Sequence, residues 1–364
     1  MSDLPTVGVE EEFLLVDPLT GEPIALNAEV AEEAQRQGVE LQLELSSCQV
    51  ETTSEVVTTS AQLGEELTRL RRTAAEAAEA AGARLLALGL PPATPHRFPV
   101  TNTERYRRIG AEYGMVAHEQ GICGCHVHVQ VPDRAGAIHA SNWLRPWLPS
   151  LLALSANSAL YRNADTGYAS WRSILWRRWP VAGAPPFFSS IDEYERTVRM
   201  LVDTGVILDQ GMVYWDVRPS ADFPTIEVRV ADVPATVAET ILLATLIRAA
   251  VMTAVNERAG GEDVGHLPPA ALRAAYWKAA HDGLSGNTLD LVHGRGAVPA
   301  REQLDALVRR VRPALDALGE YDRVATELDR IATEGNGAMR QLRAWRKRGE
   351  VADVIAEAAA ATLS

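Results

Sequence analysis

The chain has 364 residues, with 35 Lys and Arg against 48 Asp and Glu, a formal charge of −13. Its hydrophobic content of 47% is that of an ordinary globular chain and excludes a disordered or collagen-like polymer. The acidic balance argues against a general nucleic-acid-binding role, which needs a basic surface, but leaves room for a local basic pocket for phosphates.

In chain order, period-two alternation predicts a strand over 7–16 and another over 40–46. An Ala/Leu/Glu/Arg-rich helix follows over 61–83, with Gly82 as its stop. Strands are expected at 85–90 and 123–131, then a helix over 190–203 behind a serine cap. Strands at 212–219 and 225–231 precede a long apolar helix over 234–258. After Pro268 the chain reads as helical, with breaks near 283–296, Gly319, 335–337 and Gly349. Two Pro-rich loops, 91–99 and 180–188, could be mobile lids or rigid connections. Strands and helices do not alternate regularly, which favours α+β over a doubly wound sheet, and one domain over 1–364 is expected.

Cys48, Cys123 and Cys125 are too few for a disulfide framework and read as reduced, buried thiols of a cytoplasmic protein. The N-terminus has neither a basic n-region nor an apolar h-region, so no signal peptide is expected. The longest apolar stretch, 241–255, is too short to span a bilayer and reads as a buried helix, so no membrane role is expected.

The chemistry lies on the polar faces of the strands. In 7–16, Glu10 and Glu12 point one way while Val7, Val9, Phe13, Leu15 and Glu11 point the other. In 40–46, Gln42, Glu44 and Ser46 face away from a leucine row. Glu51, seven residues after Glu44, would fall on the opposite face of a straight strand, so a bend or bulge is needed to bring them together. In 123–131, His126, His128 and Gln130 oppose a Cys/Val face. In 225–230, Glu227 and Arg229 share the polar face, and Asp216 and Arg218 do so just before it. Each face alone could be a solvated surface with cross-strand ion pairs. Together they offer a carboxylate cluster, imidazole and guanidinium on one sheet. Oxygen-rich sites with a histidine suit Mg²⁺ or Mn²⁺, and arginine beside them suits phosphate or carboxylate oxygens. The chemistry implied is phosphoryl transfer from a nucleotide. No GxxxxGK[ST] or GxGxxG occurs, so no P-loop or Rossmann turn holds it. Arg172, Arg177 and Arg178, set among aromatics, could bind a carboxylated substrate or stack as surface cation–π pairs.

VGVEEEFLLVD at 7–17, ELSSCQVETTSE at 44–55, GCHVHVQVPD at 124–133, DTGYASWRS at 165–173, RRWPVAGAPP at 177–186, YWDVRPS at 214–220 and PTIEVRVAD at 224–232 resemble the carboxylate-amine ligases of the glutamate–cysteine ligase type 2 group. The resemblance covers the first two-thirds of the chain in order and continues more loosely into the helical remainder. It implies a glutamine-synthetase-like curved antiparallel sheet, flanked by helices, with the active site on the concave face. It implies ATP- and Mg²⁺-dependent joining of the γ-carboxylate of glutamate to an amine, with cysteine as the default acceptor. Carried over, Glu10, Glu12, Glu44, Glu51, His126 and Glu227 would be the metal set, with His128 less clearly a ligand. Arg229 and Glu227 would be catalytic, Arg229 on the transferring phosphate; Arg218 would meet the nucleotide phosphates and Arg172 the glutamate carboxylate. A homodimer is a family-level expectation.

Two other readings compete. A metal-dependent amidohydrolase would use His126 and His128 at a barrel strand end. A catalytically silent relative would keep the fold as a binding or regulatory protein.

Overall fold

The computed structural model describes residues 4–95, 97–119, 121–262 and 264–364. Eleven strands appear among them: β1 (Val7–Val16), β2 (Gln42–Leu43), β3 (Gln49–Thr53), β4 (Arg84–Leu86), β5 (Gly124–Gln130), β6 (Leu160–Tyr161), β7 (Ala164–Asp165), β8 (Val217–Pro219), β9 (Thr225–Asp232), β10 (Asn287–Asp290) and β11 (Gly296–Pro299). Seven build one sheet in the order β2-β3-β1-β5-β9-β8, with β4 also paired to β1. Every pairing in it is antiparallel. The fold is therefore α+β, as the irregular spacing of strands and helices predicts.

β1 spans the ten residues expected of it and lies centrally, between β3 and β5. Its Val7 and Val9 join Cys125, Val127 and Val129 of β5 and Ile226, Val228 and Val230 of β9 in one apolar layer. That layer packs on the Arg134–Leu144, Leu148–Ser155 and Val237–Ala259 helices. The last is apolar on all sides, as a central core helix must be. It is long and apolar enough to cross a membrane by composition, but here most of it is buried inside the fold. It begins at Thr236, whose hydroxyl accepts from Glu239 N at 3.2 Å.

Some expectations need correction. In 40–46 only Gln42 and Leu43 form a strand, because the chain turns at 46–48 and returns as β3. Glu44 and Glu51 thus belong to two antiparallel segments and not to one bulged strand. The 212–219 segment opens with a 3-10 turn at Gln210–Met212, and only Val217–Pro219 pairs in the sheet. The 85–90 strand is shorter than expected and ends at Leu86. The C-terminal helices break where glycines predict: Gly319 and Gly349 both end helices with positive φ. Loop 180–188 is strapped down: Asp216 N donates to Gly183 O at 2.8 Å, Arg145 Nε to Pro185 O at 3.1 Å and Asn142 Nδ2 to Phe188 O at 2.7 Å. That is a rigid connection. In loop 91–99, whose residue 96 lies outside the described residues, Pro92 O and Pro99 O accept from Asn163 N and Ser47 N.

Candidate active site

Register brings the charged residues together. Across β1 and its neighbours, Glu12 stands opposite Glu51, and Glu10 opposite His126. Across β5 and β9, His128 stands opposite Glu227, and Glu227 in turn opposite Arg218 of β8. Since the strands alternate, all these side chains leave the sheet on the side away from the apolar layer. Glu44 joins them from the turn after β2. Eight of the nine residues carried over by resemblance, Glu10, Glu12, Glu44, Glu51, His126, Arg218, Glu227 and Arg229, thus lie on one side of one sheet, and Arg172 reaches the same place from a helix.

The contacts are close. His126 Nδ1 lies 2.9 Å from Glu10 Oε2 and 4.0 Å from Glu51 Oε2, and its Nε2 is 3.6 Å from Glu12 Oε1. His128 also faces the cluster, with Nε2 3.4 Å from Glu10 Oε1 and Nδ1 3.1 Å from Thr225 Oγ1. Arg218 Nε donates to Glu227 Oε2 at 2.7 Å, while Arg229 Nη1 pairs with Glu227 Oε1. Arg218 is fixed from its other side by Val213 O, at 2.6 Å.

These contacts set the charges. Burial pushes the Glu10 carboxyl up, but hydrogen bonds and charge from His126 and His128 outweigh it and hold Glu10 well below the usual carboxylate range. Burial acts likewise on Glu227, and Arg229 and Arg218 overcome it. Glu44 has no such partner: burial and the nearby Glu12 push it up to about 8. Burial and the charges of Glu44, Glu10 and Glu12 also push Glu51 well up. The acidic end of the site is short of positive charge.

That imbalance is what a divalent cation would relieve. Glu10, Glu51 and His126 each place a ligand atom within 4.8 Å of the other two, as do Glu10, His128 and Glu227, and Glu12, Glu44 and Glu51. Carboxylate oxygens, joined by one imidazole in two of the three groups, suit Mg²⁺ or Mn²⁺. The donor set therefore fits the cation that the sequence suggests.

Two cavities flank the cluster and share Glu10. The smaller, about 220 Å³, is lined by the carboxylates, His126, Arg172 and Arg229 and walled by Tyr106, Trp176, Trp179 and Tyr214. The larger, about 560 Å³, runs past Gly8, His128, Gln130, Phe223 and Thr225.

Arg172 enters the smaller cavity from the Trp171–Trp176 helix, which Ser170 caps by accepting from Ser173 N at 3.2 Å. Arg172 is 3% exposed, with Nη1 3.7 Å from Asp232 Oδ1. Asp232 is itself held by Asn157 N at 2.8 Å, Ser158 Oγ at 2.7 Å and Ser170 Oγ at 2.8 Å. The sequence reading missed Asp232. It depends on a β-bulge: between Cys125 and Val127, β9 spends one extra residue, from Val228 to Ala231. The bulge changes the face parity, so Asp232 pairs with Gly124 and meets Arg172. The other two arginines of that segment do not line the smaller cavity. Arg177 lies 4.8 Å from the Tyr276 ring centre, and Arg178 pairs with Glu119 at the surface.

The three cysteines are buried free thiols, and burial raises each of them, Cys48 to about 11. Their burial as free thiols is as expected. The amidohydrolase reading is overturned: His126 and His128 lie on the middle strand of an open antiparallel sheet, and that hydrolase needs a parallel barrel.

Comparison with known proteins bears on the family and the fold. The family model described as "Glutamate-cysteine ligase family 2(GCS2)" matches residues 6–357. "Putative glutamate--cysteine ligase 2-2" of Mycolicibacterium vanbaalenii is 64% identical over 100% of this chain and 99% of its own length. "Putative glutamate--cysteine ligase 2-3" of Mycolicibacterium smegmatis is 63% identical over the whole of both chains. Among solved structures, a glutamate–cysteine ligase from Francisella tularensis in complex with AMP matches with a TM-score of 0.71 at 14% identity, over 99% of this chain and 89% of that one. The ligase PafA, solved with the ubiquitin-like protein Pup, matches at 0.55 and 14% identity, over 98% of this chain and 73% of that one. These structures share the fold. With the family model covering nearly its whole length and relatives above 60% identity, the chain belongs to the glutamate–cysteine ligase family 2.

Proposed function

We propose that the protein is an ATP-dependent carboxylate-amine ligase. It would join the γ-carboxylate of L-glutamate to an amine, cysteine by default, and release ADP and phosphate. The observation that carries this reading is the meeting of two cavities at one cluster of carboxylates, imidazoles and guanidiniums. Two substrates can approach that cluster from different sides, one to give a phosphoryl group and one to receive it.

The larger cavity takes the nucleotide, and the smaller takes the carboxylate donor. Glu10, Glu12, Glu44, Glu51, His126 and Glu227 hold Mg²⁺, with Mn²⁺ also suited, and His128 completes one of the groups. Bound there, the cations screen the repulsion between an anionic carboxylate and the anionic γ-phosphate. Arg229 stabilises the transferring phosphoryl group, and Arg218 the remaining phosphates. Glu227 fixes both guanidiniums in place, so they need no reorganisation when charge moves. Arg172 binds the α-carboxylate of the donor. A γ-carboxylate oxygen attacks the γ-phosphorus and ADP leaves, giving an acyl phosphate. The unprotonated amine then attacks the acyl carbon, phosphate leaves, and the nitrogen gives up a proton.

The site lies on one side of the sheet while helices cover the other. This supports a glutamine-synthetase-like curved sheet with the site on its concave face, and residues 1–364 as one catalytic domain. The buried free thiols and the acidic charge suit a cytoplasmic enzyme acting on small molecules, without nucleic-acid or membrane partners. A homodimer is the assembly that the family implies.

The test is ADP release with ATP, Mg²⁺ and L-glutamate, with and without a panel of amines led by cysteine. Turnover that needs both glutamate and one amine is expected and would name the acceptor. No ADP with any pairing, from a folded protein, would overturn the reading.

A further inference from the structure

Trp176 and Trp179 follow Arg172 at intervals of four and seven residues. That is the spacing of one helix face. Arg172 and Trp176 lie in the Trp171–Trp176 helix, and the turn after it continues with Trp179 N donating to Trp176 O at 3.1 Å. All three residues line the smaller cavity. The Arg172 guanidinium is 5.9 Å from the Trp176 ring centre, and the two indoles are 6.3 Å apart.

Arg172 Nε, Trp176 Nε1 and Trp179 Nε1 are all buried, and none has a hydrogen-bond partner among the described residues. Arg172 and Trp179 are each 3% exposed. A buried N–H without an acceptor is costly, and native proteins seldom leave one unmet. Guanidinium and indole nitrogens can only donate. The group they await is therefore an acceptor with several lone pairs, and a carboxylate is the simplest that one cationic and two neutral donors can share. Asp232 does not fill that place: it approaches Arg172 only at Nη1, at 3.7 Å, and its oxygens accept hydrogen bonds from Asn157, Ser158 and Ser170, leaving Nε unmet. The metal-binding carboxylates begin close by: Gly124, beside the Arg172 guanidinium, donates its N–H to Glu12 Oε2 at 2.5 Å.

We infer that Trp176 and Trp179, with Arg172, form the subsite for the second, non-reacting carboxylate of the donor. This rests on the ligase reading and adds two indole N–H groups to donor recognition. Being neutral, they fix the direction of the carboxylate without adding charge beside the phosphoryl-transfer centre.

The test uses the full chain labelled with ¹⁵N-tryptophan, whose eight indoles give separate N–H signals. Trp176→Phe and Trp179→Phe each remove one signal and so assign it. Calorimetry run alongside, with L-glutamate in the presence of Mg²⁺ and a non-hydrolysable ATP analogue, reports whether the donor binds. L-Glutamate and L-glutamine, which keep the α-carboxylate, are expected to shift both assigned signals downfield. 4-Aminobutyrate, which lacks that carboxylate, is expected to leave them in place. Each Phe variant should weaken glutamate binding about tenfold with nucleotide binding unchanged, as for loss of one hydrogen bond to a charged group. Glutamate that binds in calorimetry without moving either indole signal would overturn the subsite and leave the ligase reading intact. Absence of any glutamate binding would overturn the ligase reading and the subsite with it.

Discussion

Gly124 lies directly under the guanidinium of Arg172: a Cβ at position 124 would overlap Arg172 Nη2. The same glycine gives its N–H to Glu12. Gly124→Ala is expected to displace Arg172 and raise the KM for the carboxylate donor by about tenfold or more, while the KM for ATP changes little. Steady-state kinetics with each substrate varied in turn checks this. A donor KM within twofold of the parent's would show that Arg172 does not meet the donor.

Glu227 sits between Arg218 and Arg229 and holds both. Replacing it with Ala or Gln is expected to cut ADP formation to about 1% or less, roughly 2.7 kcal/mol or more of lost transition-state stabilisation. The far-UV circular dichroism spectrum should be kept. A variant that is folded and fully active would remove Glu227, and with it this cluster, from the chemistry.

The raised carboxyls make stability depend on pH. The Glu44 carboxyl has an ordinary value of 4.5 when the chain is unfolded and about 8 in the fold, where burial and Glu12 act on it. Between those values the folded chain binds more protons than the unfolded one, so stability falls as pH rises, and the fall is complete above about 8. Glu51 acts in the same sense. Glu10 and Glu227, held low, are ionised in both states over that range and exert their opposite effect only in acid. Melting temperatures measured after chelation should therefore decline from about pH 5 to pH 8. Added Mg²⁺ or Mn²⁺ should flatten that decline, because a cation between these carboxylates replaces the protons. A decline that the cations leave untouched would place the metal elsewhere.

Behind β1, Glu11 is fully buried and bound by Arg71, whose Nε and Nη2 donate to it at 3.0 and 2.6 Å. Arg71→Leu strands that carboxylate and is expected to cost about 3–5 kcal/mol. Adding Glu11→Leu removes the stranded charge and should restore part of the loss. Urea unfolding of the three proteins measures both steps. A single variant within about 1 kcal/mol of the parent would show that the pair adds little.

The alternation of β1, β5 and β9 is written plainly in the residues. It sets Glu10 with Glu12, His126 with His128, and Glu227 with Arg229 on the polar faces of their own strands, because period two is a local property; that these faces share one side of a sheet follows only from the register between distant segments. It also set Glu11 on the other side, though without its partner, since Arg71 is 60 positions away. Glu51 was harder. Its position depends on a reversal at 46–48 that carries no Gly or Pro to announce it, and only the family resemblance brought it in. Asp232 was missed for a related reason: a bulge inverts face parity, and no residue type marks where β9 spends its extra residue. The strapping of loop 180–188 was equally hidden, because its partners Asn142, Arg145 and Asp216 come from distant segments. Trp176 and Trp179 were in plain view as aromatics. Their unmet N–H groups became visible only with the cavity.

Arg71 reaches further than Glu11. Its other donors meet Pro234 O, Ala235 O and Thr362 O, at separations of 163, 164 and 291 residues. Such a hub cannot close before position 362 has been made. At 5–20 residues per second, the ribosome needs roughly 15–60 s to go from position 71 to position 362. During that interval Arg71 and Glu11 lack part of their final surroundings, and the strand carrying Glu10 and Glu12 lacks its rear brace. The strand bearing the carboxylate cluster is therefore fully backed only once position 362 has been made, although that position contributes nothing to the cluster itself.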